Sequence, residues 1–167
     1  SALGSNTTAD GNTAIGYNVL GANTTGIANV GLGQAALSAN TTASYNTAVG
    51  EKALYSTTTG DNNIGLGDSA GESNTTGSSN ILLGRKAAEN MTTSQAVIAI
   101  GAMAGQQLTI NANYNVLLGY GSAQNMTTGA NNIAMGYESL KGNSSSKLTG
   151  DYNLGFGYQA GFNLSSG

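Results

Sequence analysis

Large apolar residues recur along this chain in one fixed setting, immediately before a glycine. The pairs are Ile15-Gly16, Leu32-Gly33, Val49-Gly50, Leu66-Gly67, Leu83-Gly84, Ile100-Gly101, Leu118-Gly119, Met135-Gly136 and Phe156-Gly157. Successive anchor glycines are 17, 17, 17, 17, 17, 18, 17 and 21 residues apart. Counting from each anchor as position 0, position −3 is apolar or β-branched: Thr13, Val30, Thr47, Ile64, Ile81, Ile98, Val116, Ile133 and Leu154. Position −2 is usually small, as at Ala14, Gly31, Ala48, Gly65, Ala99, Ala134 and Gly155. Position −4 is Asn12, Asn29, Asn46, Asn63, Asn80, Asn115, Asn132 and Asn153, interrupted only by Val97. Position +8 is Thr24, Thr41, Thr58, Thr75, Thr92, Thr109 and Thr127. The segment from −4 to 0 alternates with period two, which predicts a strand, followed by a glycine turn, a short apolar segment and a polar Asn-Thr-Thr loop. Helix is not expected, because glycine and β-branched residues are frequent and no apolar stripe recurs at helical spacing.

A 17-residue unit cannot bury a core alone, whereas stacked units can. The expected fold is therefore all-β: a parallel β-solenoid of about nine 17-residue coils, forming one repeat domain over 1–167. In such a stack equivalent residues lie above one another. The asparagine column then becomes a structural ladder, each amide donating to one neighbour and accepting from the other. The anchor glycines are expected to take a corner conformation that side chains disfavour. Ser1-Ala2-Leu3-Gly4 matches Asn18-Val19-Leu20-Gly21, so the chain is expected to begin mid-coil. With no polar cap visible at either end, it reads as a fragment of a longer fibre. The period slips within Gln106–Tyr114 and Lys141–Tyr152, the expected protruding loops.

Strand alternation gives two apolar faces. Positions −1 and −3 form a large-residue face, and position −2 a small-residue face that includes Leu82 and Leu117. A thin coil has one inside. The small-residue stripe is expected to lie outside and to allow close approach of another chain, in a parallel homotrimer.

Composition narrows the chemistry. Only 8% of the residues are charged and the net charge is −3, with Lys52, Arg85, Lys86, Lys141 and Lys147 scattered. That leaves no electrostatic footprint for nucleic acid. No apolar run is long enough for membrane insertion. With no His and no Cys, the common catalytic triads and soft-metal sites cannot form. No catalytic residue, metal site or cofactor is expected. Glu51 and Asp68 stack at position +1, where Arg85 on the next coil would neutralise them. Asp10, Asp61 and Asp151, at position −6, read as turn formers rather than calcium ligands. Several loops, among them Asn23-Thr24-Thr25, Asn40-Thr41-Thr42 and Asn74-Thr75-Thr76, match glycosylation sequons that repeat chemistry already explains.

Tyrosine supplies the candidate receptor or glycan site. Tyr120, Tyr137 and Tyr158 follow consecutive anchors, and Tyr114 and Tyr152 lie just before column asparagines nearby. Exposed aromatics with a polar tip suit recognition of sugars and proteins. The plainer expectation for them is a stacked ladder that stabilises the coil. The threonine column invites an ice-binding alternative, but adjacent strand residues point to opposite faces, so Thr24 and Thr25 cannot line one surface.

The strings Asn12-Thr13-Ala14-Ile15-Gly16-Tyr17-Asn18-Val19-Leu20 and Asn46-Thr47-Ala48-Val49-Gly50-Glu51-Lys52-Ala53-Leu54 resemble head repeats of YadA-like trimeric autotransporter adhesins. They are also similar to repeats of tailed-bacteriophage tail fibres. The resemblance implies a left-handed β-roll, three chains about one axis, and an extracellular place on a bacterial surface or virion. It implies attachment to a cell-surface glycan or protein receptor. The adhesin repeat is shorter, near 14 residues, and the Asn-Thr-Thr loop accounts for the longer coil here. The expected function is an adhesive or structural fibre segment that presents or spaces an attachment site. The alternatives are a pure spacer of an extracellular filament and an ice-binding solenoid.

Overall fold

The computed structural model describes residues 1–145 and 147–164. Nine three-residue strands form one parallel sheet in chain order: β1 (Thr13–Ile15), β2 (Val30–Leu32), β3 (Thr47–Val49), β4 (Ile64–Leu66), β5 (Ile81–Leu83), β6 (Ile98–Ile100), β7 (Val116–Leu118), β8 (Ile133–Met135) and β9 (Leu154–Phe156). Each strand pairs with the equivalent strand one coil on, as in Ile64↔Ile81 and Leu66↔Leu83. The chain is thus a β-solenoid of about eight turns, and no helix occurs among the described residues. At the usual strand spacing the sheet runs for roughly 40 Å.

Strands this short hold because pairing continues around the coil. Outside the sheet, Ala35 N–H donates to Tyr17 O (2.9 Å), Leu37 N–H to Ala53 O (3.1 Å) and Thr58 N–H to Thr75 O (2.9 Å). Every coil carries such bonds to the coil before or after it, so little buried backbone is left unpaired.

The two irregular spacings leave the sheet untouched, since Ile98 still pairs Val116 and Ile133 still pairs Leu154. The Gln106–Tyr114 segment does not protrude as a unit. Leu108 and Ala112 are fully buried, and the extra residue is taken up beside Asn111, at φ 56°, and the exposed Ile110. In Lys141–Tyr152, Asn143, Ser144, Ser145 and Lys147 are exposed while Leu148 is buried.

The inside and outside of the strands are the reverse of the sequence expectation. The small residues at −2 point inward: Ala48, Leu82, Ala99, Leu117 and Ala134 are fully buried. The large residues at −3 and −1 point outward, with Ile15 at 59%, Leu32 at 42% and Ile133 at 41% exposure. The reason is volume. The interior is filled from the opposite side by positions +3 and +4, where Val19, Leu20, Leu37, Leu54, Ala88 and Leu140 are buried. A narrow coil has room for about one large side chain per turn, so leucine at +4 faces a small residue at −2. In the fifth and seventh coils the leucine moves to −2 (Leu82, Leu117) and +4 becomes Ala88 and Ala123.

The anchor glycines carry two constraints at once. Their φ lies between 114° and 133°. A Cβ on Gly50 would also stand 2.6 Å from the carbonyl oxygen of Gly67 in the next coil.

Candidate functional site

Two polar ladders run through the coil. In the first, Asn63 Nδ2 donates to Asn46 Oδ1 (3.1 Å) and to Gly77 O (2.8 Å). Its own Oδ1 receives the backbone N–H of Asn80 (3.1 Å) and the Asn80 amide (2.9 Å). Each central asparagine thus satisfies its side chain at full burial. Where Val97 interrupts the column its backbone N–H still bonds Asn80 Oδ1 (2.9 Å), so the gap costs no acceptor.

The second ladder, at +7, was hidden within the Asn-Thr-Thr loops. Asn23 donates to Asn6 Oδ1 (3.1 Å), Asn40 to Asn23 Oδ1 (2.8 Å) and Asn74 to Thr57 Oγ1 (3.3 Å). Beyond Asn74 the column turns apolar, with Met91, Leu108 and Met126 fully buried. Asn74 Oδ1 is left buried without a partner at that junction. Asn23, Asn40 and Asn74 have no exposed surface, so these three sequons are closed to modification of the folded chain.

Two of the aspartates at −6 cap backbone. Asp61 Oδ1 accepts from Ser44 N–H and Asp151 Oδ1 from Ala130 N–H, both at 2.7 Å. On another rung Asn113 does the same for Gln95 N–H (2.8 Å). Among the described residues no cluster of three or more acidic, His or Cys side chains is gathered. None of the ion pairs there involves Arg85, so it does not neutralise Glu51 or Asp68 by direct contact. No helix of the described residues is long and apolar enough to cross a membrane.

Most of the threonines at +8 are committed to the backbone, whereas Thr92 Oγ1 is buried without a partner. Thr24 Oγ1 donates to Thr41 O (3.0 Å) and Thr75 Oγ1 to Thr92 O (3.0 Å). Their neighbours Thr25, Thr42, Thr59 and Thr76 form one exposed column.

Charges concentrate at +2 and +5. Lys52 pairs with Glu72 (3.6 Å), Lys86 with Glu89 (2.8 Å), and Lys141 with Glu138. Glu89 also receives the Gln106 amide (2.7 Å), and Gln124 donates to Gln106 (3.0 Å), forming a ladder of side chains. Burial pushes the Glu89 carboxyl upward, but hydrogen bonds from Gln106 and Lys86 outweigh it and hold the pKa below the ordinary value. The bond from Lys141, and then that from Gln159 (2.9 Å), lowers Glu138. The Glu89 hydrogen bond raises Lys86.

The candidate tyrosines fall into two groups. Tyr120, Tyr137 and Tyr158 stack, with centroids 5.3 and 5.4 Å apart and planes within 11°. Tyr114 and Tyr152 lie two coils apart at −5, with Asn131 between them, and both are exposed. On the seventh and ninth coils the outward apolar pair is thus bracketed by tyrosines: Tyr114, Val116, Leu118, Tyr120 and Tyr152, Leu154, Phe156, Tyr158. The outward stripe itself was missed as a surface. Of its eighteen strand positions, sixteen are apolar, Thr13 and Thr47 being the exceptions. No protein-family model, characterised protein or solved structure matches this chain.

Proposed function

We propose that this chain is a segment of a rigid extracellular fibre in which three parallel copies pack through the outward faces of their sheets. The segment presents or spaces a site for attachment to a cell or host surface. The supporting observation is the apolar stripe at −3 and −1, which continues through every coil for roughly 40 Å. A soluble chain rarely leaves so continuous an apolar surface uncovered, and such patches mark interaction surfaces. Parallel copies set identical rungs at identical heights, so each rung buries the same few large side chains against their counterparts. The repeat resemblance noted above points the same way, to trimeric adhesin heads and phage tail fibres.

The stacked Tyr120, Tyr137 and Tyr158 are the candidate attachment surface in this reading. Binding of the fragment to a panel of bacterial and animal cells is expected to fall at least tenfold in a Tyr120→Ala/Tyr137→Ala/Tyr158→Ala variant. Equal binding by both proteins would remove these residues from the role. Absence of binding by either would favour the spacer reading, which the uniform hydrogen-bonded coils also suit. The ice-binding alternative is weakened because the +8 hydroxyls of Thr24, Thr41, Thr58, Thr75 and Thr109 are already bonded to backbone.

A further inference from the structure

We infer that the groove beside the 141–150 insertion is a saccharide subsite that takes a neutral pyranose unit. The inference rests on the attachment reading and places a binding site away from the tyrosine column. The groove is open, about 580 Å³, and lined by Gln124, Asn125, Lys141, Ser144, Ser145 and Phe162 among others. That volume lies within the range of small-ligand sites, roughly 300–1,000 Å³.

The insertion that builds it is not required by the fold, since β8 and β9 pair in register around it. Its described residues are nevertheless anchored at both ends. Asn125 N–H donates to Lys141 O (2.8 Å) and its side-chain amide to Gly142 O (3.1 Å). Ser145 N–H donates to Asn143 Oδ1 (2.7 Å). At the far end Leu148 is buried and its carbonyl receives Thr127 N–H (3.0 Å). The bonded parts of the wall lose little entropy on binding.

The chemistry of the lining selects the ligand. Lys141 is paired with Glu138, whose other oxygen takes Gln159, so the groove's charge is balanced. That disfavours an anionic ligand. Gln124 Nε2 donates to Gln106 and Met103, and Asn125 Nδ2 gives one of its two N–H groups to Gly142, so the pair offers acceptor oxygens and one further donor. The Ser144 and Ser145 hydroxyls are exposed and both donate and accept. Phe162 adds an apolar ring. Lys141 Nζ stands 5.7 Å from its centroid, near the outer limit of a cation–π contact, so the ring is not sealed. An aromatic surface beside side-chain carbonyls and hydroxyls matches the C–H face and hydroxyl rim of a sugar.

Saturation-transfer NMR with lactose, maltose and chitobiose as neutral probes, and 3′-sialyllactose as the anionic one, tests this on the whole chain. At least one neutral probe is expected to bind. Phe162→Ala is expected to weaken it tenfold or more, Phe162→Trp to retain it, and the triple tyrosine variant to leave it unchanged. Matching thermal melts by circular dichroism show that Phe162→Ala is folded. Binding of the sialylated probe alone, unchanged binding by Phe162→Ala, or no neutral sugar bound at millimolar concentration would overturn the inference. If cells are still bound through the tyrosines in those cases, the attachment reading stands without this subsite. If neither sugar nor cell is bound, both fall.

Discussion

Leu54 occupies the space that Gly65 leaves open in the next coil: a Cβ on Gly65 would lie 2.8 Å from Leu54 Cγ. The same leucine reaches toward Gly71, where a Cβ would meet Leu54 Cδ2 at 2.9 Å. The fourth coil therefore has glycine on both inner sides, and its interior is filled from its neighbours. Gly65→Ala overpacks this point and is expected to cost about 1–3 kcal/mol. Leu54→Ala alone opens a cavity and is expected to cost about 2–5 kcal/mol. The double variant should be more stable than the sum of the two implies, with a coupling of about 0.5–3 kcal/mol in urea melts. Strict additivity would show that the two residues do not share the space.

The junction at Asn74 makes a second prediction. Thr57→Val with Asn74→Met extends the apolar column of Met91 and removes the orphaned Asn74 Oδ1. Gly77 O keeps a donor, Asn63 Nδ2 at 2.8 Å. Replacing both polar partners by apolar groups is neutral or stabilising, so the melting temperature should hold or rise. Asn63→Leu is the contrasting case, because it strips the buried Asn80 backbone N–H of its acceptor and takes one of two acceptors from the Asn80 amide. It is expected to cost about 2 kcal/mol or more. A fall in melting temperature for the first variant as large as for the second would contradict this account of the ladders.

Acid should act through Glu138 and Glu89. Both carboxyls are held below their ordinary pKa in the folded chain. A depressed carboxyl adds stability that is complete above its unfolded value, about 4.3, and is lost as pH falls through the folded value. Glu138→Gln removes the Glu138 share. The gap in melting temperature between wild type and this variant should be constant from pH 7 to 5 and close below about pH 4. A gap that persists unchanged to pH 2.5 would assign the loss to packing rather than to charge.

The repeat length, the strands and the first asparagine column were legible because stacking demands one residue type at one height. Which strand face points inward was not. Alternation states only that −2 opposes −1 and −3. The choice is made by the interior volume, and the coil that encloses it turns through left-handed residues at −5, +2 and +4. Lys52, Leu54 and Tyr45 are examples, with φ of 54°, 50° and 62°. Their one trace in the sequence is negative: no Val, Ile or Thr stands at any of these three columns, where β-branching is most disfavoured. The tyrosine stack followed from spacing. The groove at Phe162 did not, because the insertion that shapes it has no counterpart in the other coils.

The reversed sheet face turns the central claim into a mass. Light scattering on the purified chain should give about 50 kDa, three times the 16.6 kDa of one copy. Leu66→Lys, which sets a charge in the outward stripe at β4, should shift it toward a single chain. A particle of 16.6 kDa at every concentration tested would contradict the proposal that copies of this chain cover one another's sheets.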